Sequence, residues 1–266
     1  MKKFIMLLSV ALVSFSCGRD DDETTNPIDE VAILPTKISG DSELGVIKYE
    51  GSKIIETNSN NGFRVVYEYS GNLITKMTGY NANGTKDTTT DFTYSNDKLT
   101  NVTFVEDEVV VKTSYSYPNA TTVNSTEIST IISQGTTTTY KDVSTFTLNK
   151  GNIVSEEMAY YLNNTLRGNI SITYTYDDKN SVAKNITGWD KISVYMFEDG
   201  DYLTSNNNVL TKNHTNNPVG SSQTKYRVVN NITYSANNYP TQIISKQYGN
   251  NDVLNSTYTD FFEYNK

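Results

Sequence analysis

"FTYSNDKLTNVTF", residues 92–104, carries the pattern that decides the fold. Phe92 and Tyr94 stand two apart, so in an extended chain they share a face. Ser95, Asn96 and Asp97 follow at once, and these residue types end strands and make turns. An apolar residue, Leu99, then resumes the pattern on the return strand. The stretch reads as a β-hairpin with a two-residue turn. Past the turn the faces do not separate cleanly. Strict alternation puts Leu99, Asn101, Thr103 and Val105 on one side and Thr100, Val102 and Phe104 on the other. Both sides are mixed, so the inward side stays open.

The motif recurs along the chain. "YEYSGNLITKM" (67–77), "YSYPNATTV" (115–123), "YTYDDKNSVAK" (174–184), "ITYSANNYPTQI" (232–243) and "FEYNK" (262–266) each place an aromatic or Ile, one residue, then Tyr, then a turn former. The closely spaced copies start roughly 20–30 residues apart, about one hairpin per repeat. Further turn signals lie at "NSNNG" (58–62), "NANG" (81–84) and "EDGD" (198–201). No stretch after the N-terminus shows a long helical period. A chain of this kind must bury its apolar face and protect its strand edges by curling or folding over.

Composition agrees. The 266 residues include 20 Tyr, one Trp, one His and one Cys, with Thr, Asn and Ser abundant throughout. Thr and Tyr favour strands, and Asn and Gly favour turns. The net charge is -8. The isoelectric point of about 4.8 argues against nucleic acid, which needs clustered Lys and Arg.

The N-terminus gives an address. Lys2 and Lys3 precede an apolar run from Phe4 to Phe15, the length of a secretory signal and too short to span a bilayer as a helix. Small Ser14 and Ser16 lead to Cys17. A one-Cys chain cannot form an internal disulfide, and an exported thiol is a liability unless it is used. The segment resembles a bacterial lipoprotein signal, which implies cleavage after residue 16 and lipidation of Cys17. Asp20, Asp21, Asp22 and Glu23 follow. They resemble the acidic export tag of Bacteroidetes-type surface lipoproteins, while a plain solvated tether has the same composition. The expected organisation is a signal peptide over 1–16, an acidic lipid-anchored tether over 17–33 and one antiparallel β domain over 34–266.

The hairpin motif resembles YD repeats of the RHS type, although only Tyr176–Asp177 keeps the Tyr-Asp pair. It is more similar to the Bacteroidetes lipoproteins described as porin-like. The resemblance rests on the signal, on "LPTKI" (34–38), on the Tyr-x-Tyr hairpins and on "NITGWDKI" (185–192). It implies shape rather than chemistry. The expected fold is all-β, a large antiparallel meander of hairpins curled into an open or closed barrel. It is expected not to be membrane-spanning. Membrane strands need a continuous lipid-facing apolar band, whereas these carry Lys, Glu, Asn and Thr at most alternate positions, and the mean hydropathy is -0.51.

Chemistry is sparse. His214, the sole His, sits in "TSNNNVLTKNHTNNPVGSSQ" (204–223), read as a long polar loop. No Gly-x-Ser-x-Gly elbow, metal-ligand spacing or phosphate-binding Gly loop is present. Glu156–Glu157 and Asp199/Asp201 are carboxylate pairs too close in sequence to flank one substrate from a strand. No cofactor and no metal is expected. Trp189, Tyr195 and Tyr202 form the candidate ligand-binding group, because exposed aromatics stack on sugar rings. The alternative is that the aromatics pack across hairpins. The function expected is a non-catalytic binding or scaffold module on the outer-membrane surface, held by outer-membrane lipid, with a glycan or a protein as partner. The alternatives are a periplasm-facing carrier of an apolar ligand in a β-barrel and a glycan-cleaving enzyme.

Overall fold

The computed structural model describes residues 32–41, 45–133, 135–197 and 206–266. Ala32–Lys266 forms one compact unit. The first strands are β1 (Pro35–Gly40), β2 (Val46–Glu50), β3 (Lys53–Asn58), β4 (Arg64–Ser70), β5 (Leu73–Tyr80) and β6 (Lys86–Ser95). The longer ones are β7 (Lys98–Glu106), β8 (Val109–Asn119), β9 (Thr122–Ser133), β10 (Thr136–Asn149), β11 (Asn152–Leu162) and β12 (Thr165–Tyr176). A helix, α1 (Trp189–Met196), precedes β13 (Val209–Pro218), β14 (Thr224–Tyr234), β15 (Pro240–Tyr248) and β16 (Leu254–Tyr264). Each strand pairs antiparallel with its sequence neighbours, and β1 pairs with β16.

The expectation of a barrel open or closed, and not membrane-spanning, is corrected. The barrel is closed and has 16 strands among the described residues. Ile38 opposite Phe262 is part of the pairing that closes it. The hydropathy argument against spanning does not hold either. Mean hydropathy averages both faces of every strand, and a polar lumen lowers it in membrane barrels too. No helix among the described residues is long and apolar enough to cross a membrane. That has no bearing on strands.

The opening hairpin explains the mixed alternation. Asn96 and Asp97 both take positive φ, 50° and 58°, as a tight primed turn requires. Tyr94 pairs with Leu99, but Thr93 pairs with Asn101, so Thr100 is an extra, bulged residue. A bulge shifts the register by one. Leu99 and Val102 therefore both point inward, each about 1% exposed. The same shift recurs at this end of the barrel, leaving Thr36, Ile55, Thr75, Val154, Leu210 and Thr241 as the extra residues. Where the extra residue is Thr, its hydroxyl donates across the hairpin. Thr100 donates to the Thr93 carbonyl at 3.0 Å, and Thr241 to that of Thr233 at 3.2 Å.

The second Tyr of each motif has a related job. A bulge leaves the carbonyl just before it without its ladder partner. The Tyr hydroxyl of the next hairpin supplies one. Tyr94 donates to the Ile74 carbonyl (2.6 Å), Tyr117 to Leu99 (2.9 Å), Tyr49 to Pro35 (2.8 Å) and Tyr264 to Pro240 (2.8 Å). Tyr176 does the same for Ile153. Burial pushes the hydroxyls of Tyr49, Tyr94, Tyr117 and Tyr264 above the ordinary tyrosine value. The sequence repeat is thus a ring of bulges, each satisfied by its neighbour.

The same end is filled by the β12–β13 connection, which folds into the barrel. Val182, Ala183, Ile186, Trp189, Ile192 and Phe197 are buried. They pack against Ile38, Ile54, Ile74, Phe92 and Leu99 of the wall on one side, and against Val123, Phe146 and Tyr174 on the other. Gly188 takes φ 78° and leaves no room for a Cβ, which would stand 2.5 Å from the Asn72 carbonyl oxygen. Asp177 organises the root of this plug, accepting from the backbone N–H groups of Asn208 (3.0 Å) and Lys179 (3.1 Å) and from the Tyr234 hydroxyl. The described chain enters here too. Asn185 donates to the Ile33 carbonyl at 3.0 Å. The reading of 204–223 as one polar loop is also corrected, because Val209–Pro218 is strand β13. Its Asn and Thr are rungs of the ladder with β12 and β14.

Candidate functional site

The inner wall changes character along the barrel axis. Cross-strand register gives the rows. Nearest the plug runs Val123, Phe146, Glu156, Ile172, His214 and Tyr226. The next is Tyr115, Ser125, Ser144, Met158, Ile170 and Asn216. Beyond it lie Thr113, Glu127, Asp142 and Tyr160. The wall passes from apolar to polar with distance from α1. The outward row Ser116, Asn124, Thr145, Glu157, Ser171 and Thr215 is polar throughout.

Two cavities indent this wall beside the plug. One, about 250 Å³, lies between Val194 and Tyr195 of α1 and the strands β7–β10. Phe104, Tyr115, Thr113, Ser125, Glu127, Asp142, Ser144 and Phe146 line it. The other, about 200 Å³, is lined by Asp142, Glu156, Met158, Ile172, Phe197, Lys212, His214 and Tyr226. Asp142 borders both, so the two are neighbouring lobes of the lumenal chamber.

Its charged groups are held differently. Glu156 is 2% exposed and accepts a hydrogen bond from the Ser144 hydroxyl at 2.9 Å. Burial raises its pKa, outweighing the lowering by Ser144 and Lys212. Burial raises the pKa of Asp142 as well. Glu127 accepts from the Thr113 hydroxyl at 3.1 Å. His214 stacks on Tyr226, ring centroids 4.3 Å apart and 16° from parallel. Burial lowers its pKa, and the Lys212 charge adds to that. The imidazole is therefore neutral at physiological pH. Among the described residues no three His, Cys, Asp or Glu side chains converge as a metal site.

Trp189 and Tyr195, two of the residues singled out in the sequence, both lie on α1. Trp189 is 5% exposed and packs on Tyr67 at 6.3 Å, inside the plug. Tyr195 meets Phe92 edge-on at 5.5 Å and lines the larger lobe. Tyr202, Cys17, Asp20, Asp21, Asp22 and Glu23 lie outside the described residues. His214 faces the lumen from β13 rather than a loop. Asp142 and Glu127 were missed by sequence reasoning. Their spacing in the chain is unremarked, and only the β9–β10 register sets them side by side. Glu156 was noted as half of an adjacent pair. The structure separates the pair, with Glu156 inside and Glu157 exposed.

No protein-family model matches the chain, and no curated protein matches it in sequence. Solved structures do match in shape. A porin-like protein from Bacteroides vulgatus ATCC 8482 superposes with a TM-score of 0.58 at 15% identity, covering 88% of this chain and 99% of that one. A porin-like protein from Bacteroides uniformis ATCC 8492 aligns over 86% of this chain and 96% of that one at 14% identity, with a TM-score of 0.33, too low to speak to the fold. The expected likeness to porin-like proteins is therefore correct, and the likeness to YD repeats finds no support. The first superposition also overturns the separation of this barrel from the spanning architectures. At the level of fold, the chain is a closed, porin-like β-barrel plugged at one end by its own α1 segment.

Proposed function

We propose that the chain is a lipid-anchored envelope protein that binds a ligand in the lumenal chamber and catalyses no reaction. The carrying observation is the plugged barrel. The β12–β13 segment fills one end with apolar side chains, and beyond it the wall keeps a two-lobed chamber with polar groups. A barrel that needed only to be stable would fill this volume with side chains. Binding sites are concave, apolar and carry a few placed polar groups, which describes this chamber. The carboxyls count against the alternative of a carrier for a wholly apolar ligand. In this reading residues 1–16 direct export, Cys17 carries the acyl anchor in the outer membrane, and Asp20, Asp21, Asp22 and Glu23 direct display on the cell surface.

The anchor is tested by expressing the full precursor in a Gram-negative host with a radiolabelled fatty acid. Wild type takes up label and fractionates with the outer membrane. Cys17→Ser loses the label, because no thiol is then left to carry the acyl chain. An unlabelled wild type, or a labelled Cys17→Ser, overturns the anchor. Protease added to intact cells reads display directly.

A further inference from the structure

The chamber's wall combines two features that belong to one ligand chemistry. The larger lobe presents the aromatic rings of Phe104, Tyr115, Phe146 and Tyr195. Carboxyls reach the chamber from β9, β10 and β11 through Glu127, Asp142 and Glu156. Two of them have neutral partners, a Thr113 and a Ser144 hydroxyl. Asp142 has no hydrogen-bond or ion-pair partner among the described residues, although it borders both lobes. Set against three carboxyls, Lys212 is the one ammonium lining the chamber among the described residues, and it faces the Tyr174 ring at 5.7 Å. Holding acids in a half-dry wall costs free energy, since burial disfavours the charged form. A guest that brings positive charge removes that cost. A guest that is anionic adds to it, and a purely apolar one leaves it in place.

We propose that the chamber binds an organic ammonium compound with an aromatic or aliphatic body, its cationic head against Asp142 and its body against Tyr115 and Tyr195. This rests on the reading of the chamber as a binding site. A carboxylate gives the ammonium a charge-assisted hydrogen bond, worth about twice a neutral one. Aromatic faces add a cation–π attraction within about 6 Å. Both are strengthened where water is partly excluded. A neutral sugar would use the rings and hydroxyls but leave the charge of Asp142 unanswered, so it is the weaker guest.

Isothermal titration of the full-length protein in a non-ionic detergent tests this with three probes: phenethylammonium, its neutral counterpart 2-phenylethanol, and a short neutral oligosaccharide. The ammonium should bind one to one and at least about tenfold more tightly than the alcohol, as a charge-assisted contact of this kind implies. Asp142→Asn should weaken the ammonium by about tenfold and leave the alcohol unchanged. Val194→Trp, which fills the larger lobe from α1, should abolish binding of the ammonium. It keeps the test valid if Asp142→Asn fails to fold. Equal affinity for ammonium and alcohol, preference for the oligosaccharide, or indifference to Asp142→Asn overturns the cation and leaves the chamber as a site. Binding that survives Val194→Trp overturns the location. Absence of binding by all three probes overturns both the cation and the binding reading.

Discussion

A single hydroxyl shows how the barrel is held. The Tyr94 side chain is half-buried, and its oxygen lies 2.6 Å from the Ile74 carbonyl, which a bulge has freed from its ladder. An intramolecular hydrogen bond contributes about 1 kcal/mol net, but a buried acceptor left alone costs about 1–3 kcal/mol. Tyr94→Phe keeps the ring and removes only the donor. It should lower stability by about 1–2 kcal/mol, read by thermal or denaturant unfolding. Serine in place of Thr100 would keep that residue's bond to Thr93 and serves as a comparison at the same bulge. The opposite sign is expected at Glu156, buried among Phe146, Ile172 and Ser144, with Asp142 of β10 and Lys212 of β13 on the same wall. Its folded pKa is raised, so the native state binds the extra proton. The penalty is full above the folded pKa and disappears as pH falls below the ordinary carboxylate value. Glu156→Gln accepts the same Ser144 bond without charge. It should raise the melting temperature at neutral pH, about 2–4 °C for each 1 kcal/mol relieved. At pH 4 and below it should match wild type. A loss at neutral pH that disappears at pH 4 would show that the charge itself is used.

At the scale of elements, the plug depends on one close approach. The turn before α1 passes the β4–β5 hairpin with Gly188 against the Asn72 carbonyl, and Thr187 bonds Ser52 of the β2–β3 turn through both its N–H and its hydroxyl. Gly188→Ala meets two costs. A left-handed backbone costs a β-carbon about 1–2 kcal/mol, and the methyl would collide with backbone that cannot easily yield. Gly71 supplies the control. It also has a positive φ, 58°, but open space around it. Gly71→Ala should cost only the first term, and Gly188→Ala measurably more. The excess in denaturant midpoint is the energy of seating the plug. Equal losses would mean that α1 is held by its apolar face alone. The helix was hard to foresee because it has only eight residues. Its buried positions, Trp189 and Ile192, span a single turn, and such a short run cannot be told from a strand by periodicity.

At the scale of the whole molecule, local chemistry and global closure separate. Each Tyr-x-Tyr-turn unit announces a hairpin because turn formers and alternating side chains act over a few residues. The antiparallel meander and the porin-like likeness follow from that repetition. The inward face was unreadable in the opening stretch for a definite reason: Thr100 is extra, and one extra residue exchanges the faces of everything beyond it. The chamber was less legible still. Glu127 and Asp142 are 15 positions apart, and Glu156 and His214 lie in different hairpins. Only the cross-strand register brings them to one wall. Of the aromatic trio chosen from sequence, Trp189 packs the plug, Tyr195 lines the larger lobe, and Tyr202 lies outside the described residues. The sequence by itself determined the all-β class and the hairpin spacing, both written in neighbouring residues. Tertiary structure alone decided that the sheet closes, that α1 turns into it, and that three carboxyls face a common chamber. Those outcomes depend on pairings between distant residues, chosen by burial over the whole barrel rather than by any local preference.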